Sequence, residues 1–127
     1  MRRDGEHGEA MFKEKLTRVI HNVDGAIGCL LIGFDGIQID GVYAGEEMAE
    51  MSAIAIEVSN LLNKFRRLNL HEVGEVNEVS ITTGTVTTLA RVVSEEYLLV
   101  LAMSADADVN RGQTMLRLIT PFVERDM

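Results

Sequence analysis

The spacing of apolar residues changes along this chain, and the order of those changes limits what it can fold into. Phe12, Leu16, Val19, Ile20 and Val23 recur at helical spacing, with Lys13, Glu14, Lys15, Thr17 and Arg18 between them. One such stripe is enough to seat a helix on a sheet, and Asp24-Gly25 ends it with a glycine able to take the left-handed cap conformation. From Ala26 to Ile32 the residues are apolar and bounded by glycines, the pattern of a short buried strand. Phe34-Asp35-Gly36 is a hairpin signal, because glycine tolerates positive φ, and Ile37, Ile39 and Tyr43 continue as a second strand. A long helix is expected from about Glu46 to Arg67, with Glu46, Glu47 and Glu50 at its positive end and Lys64, Arg66 and Arg67 at its negative end. Its main stripe is Met48, Met51, Ala55, Val58, Leu62 and Phe65, broadened by Ile54 and Leu61. Met48 and Met51 are read as core fillers; exposed, they would favour a binding groove.

Three strand patterns follow. Val79 and Ile81 alternate with Glu78, Ser80 and Thr82; Val86 to Val93 mixes β-branched residues with Leu89; Tyr97 to Met103 is the most apolar and is expected at the sheet centre. The many hydroxyls from Ser80 to Thr88 are read as the wet face and turn of a hairpin. Asp106 or Asp108 can cap a last helix, whose stripe is Val109, Met115, Leu116, Ile119, Phe122 and Val123. Pro121 inside it is expected to kink or end it. The order α-β-β-α-β-β-β-α predicts an α/β (α+β) fold: a five-stranded antiparallel sheet covered by helices. Residues 1–9 carry no such stripe and are expected to form a flexible tail, leaving residues 10–127 as one domain.

Twelve Lys plus Arg against twenty Asp plus Glu give a net charge of -8, which disfavours nucleic acid as a partner. No apolar run is long enough to insert in a membrane, and there is no signal-peptide pattern, so a cytoplasmic protein is expected. Cys29 is the single cysteine and sits in an apolar strand, so it is read as a buried inert thiol. His7, His21 and His71 are scattered without ligand spacing, so no metal is expected. Neither GxxxxGK[ST] nor GxGxxG occurs, and the glycines Gly25, Gly28, Gly33 and Gly36 fit turn geometry better than a phosphate cradle. No catalytic or cofactor-binding residue is expected. Arg111 has two equal readings, a partner contact or a structural hydrogen bond to the preceding loop.

The functional signal lies in the long helix. Opposite its main stripe it carries Ala49, Ala53, Ile56 and Asn60, flanked by Glu57 and Lys64, where a helix covering one sheet would present strong charge to water. The ordinary alternative is a helix surface that happens to be poor in charge. The segment Val76–Thr82 adds a second signal. It has neither the proline nor the lysine that usually guards an edge strand, and only Glu78 as a partial gatekeeper. The expected interface is therefore Ala49, Ala53, Ile56, Glu57, Asn60, Val76, Glu78, Ser80 and Thr82.

Val23-Asp24-Gly25-Ala26-Ile27-Gly28-Cys29-Leu30 leading into Phe34-Asp35-Gly36, and Tyr97-Leu98-Leu99-Val100-Leu101 followed by Asn110-Arg111-Gly112, resemble the roadblock/LC7 family, in particular its MglB-like bacterial members. The resemblance covers roughly residues 10 to 125. It implies a homodimer or heterodimer, taken here as a homodimer, whose two sheets join through the middle strand of the chain and whose long helices lie antiparallel on one face. It also implies a scaffold or activator of a small Ras-like GTPase that meets its partner on the long-helix face and supplies no arginine finger. The alternatives are a structural adaptor or light-chain-like subunit of a larger assembly, and a ligand-sensing domain. The last would need a pocket between sheet and helix.

Overall fold

The computed structural model describes residues 4–127, with side chains from Phe12 onward. The elements in chain order are α1 (Asp4–Asn22), β1 (Ala26–Gly33), β2 (Gln38–Tyr43), α2 (Met51–Arg66), β3 (Glu78–Thr82), β4 (Val86–Val92), β5 (Tyr97–Ser104) and α3 (Val109–Arg125). Of the tail expected over residues 1–9, residues 1–3 lie outside the described residues, and from Asp4 the backbone is helical.

The strands form one antiparallel sheet in the order β2-β1-β5-β4-β3. The most apolar strand, β5, takes the centre, and Leu98 to Met103 are all buried. Period-2 alternation sorts its side chains. Cys29, Leu31, Leu89, Leu99, Leu101 and Met103 point to one face, where they meet Leu16 and Val19 of α1, Val23 just after it, and Met115, Leu116, Ile119 and Val123 of α3. Leu30, Ile32, Ala90, Leu98, Val100 and Ala102 point to the other, where they meet Met51, Ala55, Val58 and Leu62 of α2. Both faces are thus covered, which is why β1 and β5 read as continuous apolar runs.

Local chemistry sets the joints. Gly36 holds φ +88° in the β1–β2 turn, its N–H donating to the Gly33 carbonyl at 2.9 Å, and Asp35 accepts from the Ile37 N–H at 3.0 Å. Asp108 is the cap of α3, accepting from the Arg111 N–H at 3.2 Å. Gly112 lets α3 settle on the sheet: a Cβ there would lie 2.7 Å from Met103 Sδ and 2.9 Å from Leu89 Cδ1.

Several expectations need correcting. The long helix begins at Met51, not Glu46; Glu50 occupies the cap position without a side-chain hydrogen bond, and the first turn holds no acid. The Met51 N–H instead donates back to the Met48 carbonyl at 3.1 Å, so the approach is a turn. The basic end does carry Lys64 and Arg66 as expected. Phe65 and Phe122 flank their stripes and stay half exposed. Pro121 does not end α3, which runs through it to Arg125. Thr87 and Thr88 are buried rather than wet, because β4 has neighbours on both sides. The third strand begins at Glu78, and Val76 precedes it.

Candidate functional site: an open sheet edge beside the long helix

The two ends of β3 fix the phase of its main chain. The Val92 N–H donates to the Asn77 carbonyl at 2.9 Å, and the Thr83 N–H to the Val86 carbonyl at 2.8 Å. Antiparallel alternation between these bonds turns the amides and carbonyls of Val79 and Ile81 toward β4 and those of Glu78, Ser80 and Thr82 outward. The main-chain groups of three expected interface residues therefore line an edge. Their side chains lie on the α1/α3 face, opposite Arg91, Leu89 and Thr87.

Glu78 does not project from this edge as a guarding charge. Its carboxylate accepts from Arg91 Nη1 at 2.9 Å and from Arg117 Nε and Nη2 at 2.9 and 3.0 Å. The hydrogen bond from Arg117, aided by Arg91 and opposed by partial burial, holds its pKa below the ordinary glutamate value. Two arginines thus tie the start of β3 to its neighbour and to α3.

On the opposite face, α2 packs over β1 and β5 and leaves the flank toward β3 open. A groove of about 600 Å³ runs there. Met48, Ile54 and Leu61 line one wall, Ile81 and Val86 the other, and Glu50, Ala53 and Glu57 form the outer rim. Leu61 and Ile81 are each 36% exposed. Beyond the C-terminal end of α2 a second hollow of about 700 Å³ carries Phe65, Leu70, Val73, Val76 and Val92. Apolar surface thus extends along α2 beside β3, and single scattered apolar residues would not produce such a run.

The residues expected from the second stripe are divided. Ala53, Ile56, Glu57 and Asn60 are all exposed on α2. Glu57 borders the groove, whereas Ile56 leans toward Gly36 of the β1–β2 turn. Ala49 is exposed but precedes the helix, so it does not continue the stripe. Val76 is half-buried against the α2 side of the core. Leu61, Ile81 and Val86 line the groove too, although the sequence presents them only as stripe and strand residues. Val79 and Ile81 share a face with the long helix by alternation alone, and that was the available signal.

Other candidates resolve structurally. Arg111 Nε donates to the Asn22 carbonyl at 2.9 Å, joining α3 to the end of α1 rather than to the loop before it. Arg66 donates to the Glu95 carbonyl at 2.7 Å and stacks 4.0 Å over the Phe34 ring. Cys29 is buried, and desolvation pushes its pKa up to about 12. His21 and His71 are exposed, and the side chain of His7 lies outside those described. Among the described residues no group of three His, Cys, Asp or Glu could hold a metal ion, and no helix is long and apolar enough to cross a membrane.

No family model and no curated protein matches the chain. Solved structures do. MglC from Myxococcus xanthus is 34% identical, covering 92% of this chain and 99% of that one, with a TM-score of 0.67. A roadblock/LC7 domain from Streptomyces avermitilis is 14% identical over 88% of this chain and 93% of that one, with a TM-score of 0.76. MglB, solved with a tetrameric arrangement, is 18% identical over 99% of this chain and 92% of that one, with a TM-score of 0.80. The second and third likenesses are of fold; the first is also of sequence, across nearly the whole of both chains. The chain belongs to the roadblock/LC7 family.

Proposed function

We propose that this chain is a non-catalytic, cytoplasmic homodimer that regulates or scaffolds a small Ras-like GTPase through a surface rather than a pocket. The observation that carries the reading is the unguarded β3 edge lying beside the apolar groove along α2. An antiparallel twin strand aligned so that Glu78, Ser80 and Thr82 all find partners puts a two-fold axis at Ser80. The joint sheet then brings the partner's long helix to the groove. Antiparallel helices set the acidic approach of one copy, Glu46, Glu47 and Glu50, near the Lys64 and Arg67 end of the other. A standard dimer buries ~1,600 Å² or more, and strand pairing plus the groove is a suitable source of it. The outer side of the paired helices, with Ala53, Ile56 and Asn60, is the surface left for the GTPase. The family resemblance supports that class of partner.

The test is to purify the full chain, measure its mass by light scattering, and mix it with small Ras-like GTPases of the same organism while following co-elution and GTP turnover. A dimer that binds one of them supports the reading, with faster turnover marking an activator and unchanged turnover a scaffold. Ala53→Glu should weaken the complex or the dimer while the fold stays intact. A monomer at concentrations on the order of tens of micromolar, or a dimer that binds none of them, would refute it. Binding to a larger assembly instead would favour the adaptor reading.

A further inference from the structure

The sheet has a second edge, and it is built differently. On β2 the Ala44 N–H donates to the Ile27 carbonyl at 2.9 Å, and Gly28 faces Tyr43 while Leu30 faces Gly41. By the same alternation, Asp40 and Val42 turn their main-chain groups toward β1, and Gly41 and Tyr43 turn theirs outward. Those of Gly41 are already engaged. The Gly41 N–H donates to Asp40 Oδ1 at 2.8 Å, and its carbonyl lies 3.4 Å from the Lys13 ammonium. Lys13, reaching down from α1, donates to the same Asp40 oxygen at 2.6 Å. Immediately before, the register slips: Leu31 faces Asp40 but Ile32 faces Gln38, leaving Ile39 as an extra bulged residue.

A charge pointing inward from an edge strand, a lysine at the rim and a bulge are each devices that discourage strand addition. β2 carries all three, whereas β3 has an unbroken register. Stability alone is a poor account of the pair. Asp40 is only 6% exposed, and its Oδ2 is buried without a hydrogen-bond partner among the described residues. An apolar side chain facing α1 would avoid that desolvation.

We propose that the Lys13–Asp40 pair, with the bulge at Ile39, seals the β2 edge against a second copy of this chain, so that copies join only through β3. The inference deepens the dimer reading and rests on β3 as the joint. It is tested with Lys13→Met/Asp40→Val in the full chain, by sedimentation from about 5 to 200 μM, a range that brackets weak self-association. The expected result is a wild type of constant dimer mass and a folded variant that gains species of twice that mass or more as concentration rises. Adding Ser80→Pro, which weakens the β3 joint, should shift the appearance of those larger species to higher concentration. A folded variant that matches wild type throughout overturns the proposal. If valine at position 40 impairs folding, Lys13→Ala/Asp40→Ala carries the same expectation and the same refutation. A monomeric wild type would sink the β3 reading alone: the variant would then step from one copy to two if the seal is real, and stay single if it is not.

Discussion

Ser80→Pro separates the fold of one copy from the joint between two. The Ser80 N–H points away from β4, so proline there removes no ladder bond within the chain, and an edge position with its amide to solvent is where a strand tolerates proline. In the proposed dimer, Ser80 would face its twin on the two-fold axis, and such a pair exchanges both N–H···O bonds. The substitution removes both. At ~0.5–1.5 kcal/mol net for each bond, the loss is about 1–3 kcal/mol, before any cost of a ring pressed against the facing strand. That corresponds to a dimer Kd weakened about 5- to 150-fold. Sedimentation equilibrium measures the Kd. Far-UV circular dichroism, with thermal melts at a dilution where both proteins are dissociated, isolates the single copy. A wild-type Kd would refute the joint at β3. A folded-state loss in the dilute monomer would refute the phase of the strand, because it would mean that Ser80 bonds β4 after all.

Leu99→Asp places a carboxylate at a fully buried position of the central strand and should cost about 4–5 kcal/mol or more. A soluble protein with a wild-type melt would contradict the core described above. Cys29, with its pKa pushed up to about 12 by burial, should resist iodoacetamide at pH 8 in the native protein and react fully in denaturant; labelling of the native protein at a free-thiol rate would count against its burial. Glu78 has a folded pKa below its unfolded value, so its contribution to stability is present above the ordinary glutamate pKa of ~4.3 and is lost as pH falls through the depressed folded value. The Tm gap between wild type and Glu78→Gln should therefore be open at neutral pH and close in acid; a gap independent of pH would mean that the arginines do not depend on its charge.

Much of the fold was legible because each strand announced how many of its faces are covered. Leu98 to Met103 has no polar side, and only a strand with helices on both faces can bury that many residues. Features that depend on lateral position were not legible in the sequence. Thr87 and Thr88 look like surface hydroxyls until β3 and β5 are placed on either side of them. Glu46, Glu47 and Glu50 look like the start of a helix by charge, yet the chain turns at Met48 and enters the helix at Met51. The second stripe was visible on α2. The groove was not, because which flank of a helix stays open depends on which strands it sits over.

The inequality of the two edges bears on why the proposed assembly would be a finite object. A sheet with two receptive edges can add copies at both, and unless a rotation closes the ring the product is a filament. With one edge receptive, an antiparallel pairing about a two-fold axis uses it up in both copies at once, and growth stops at two. β3 supplies outward amides in unbroken register, while on β2 a lysine from a different element, separated by 27 residues, holds the Asp40 carboxylate that takes the Gly41 amide and itself lies by the Gly41 carbonyl. This contact could not be read from either segment alone. Lys13 looks like a solvated helix residue and Asp40 like a loop-edge acid, and only the packing of α1 across β2 brings them together. In the proposed arrangement, the same helix that buries Leu16 and Val19 in the core would thereby set which side of the sheet remains available to another molecule.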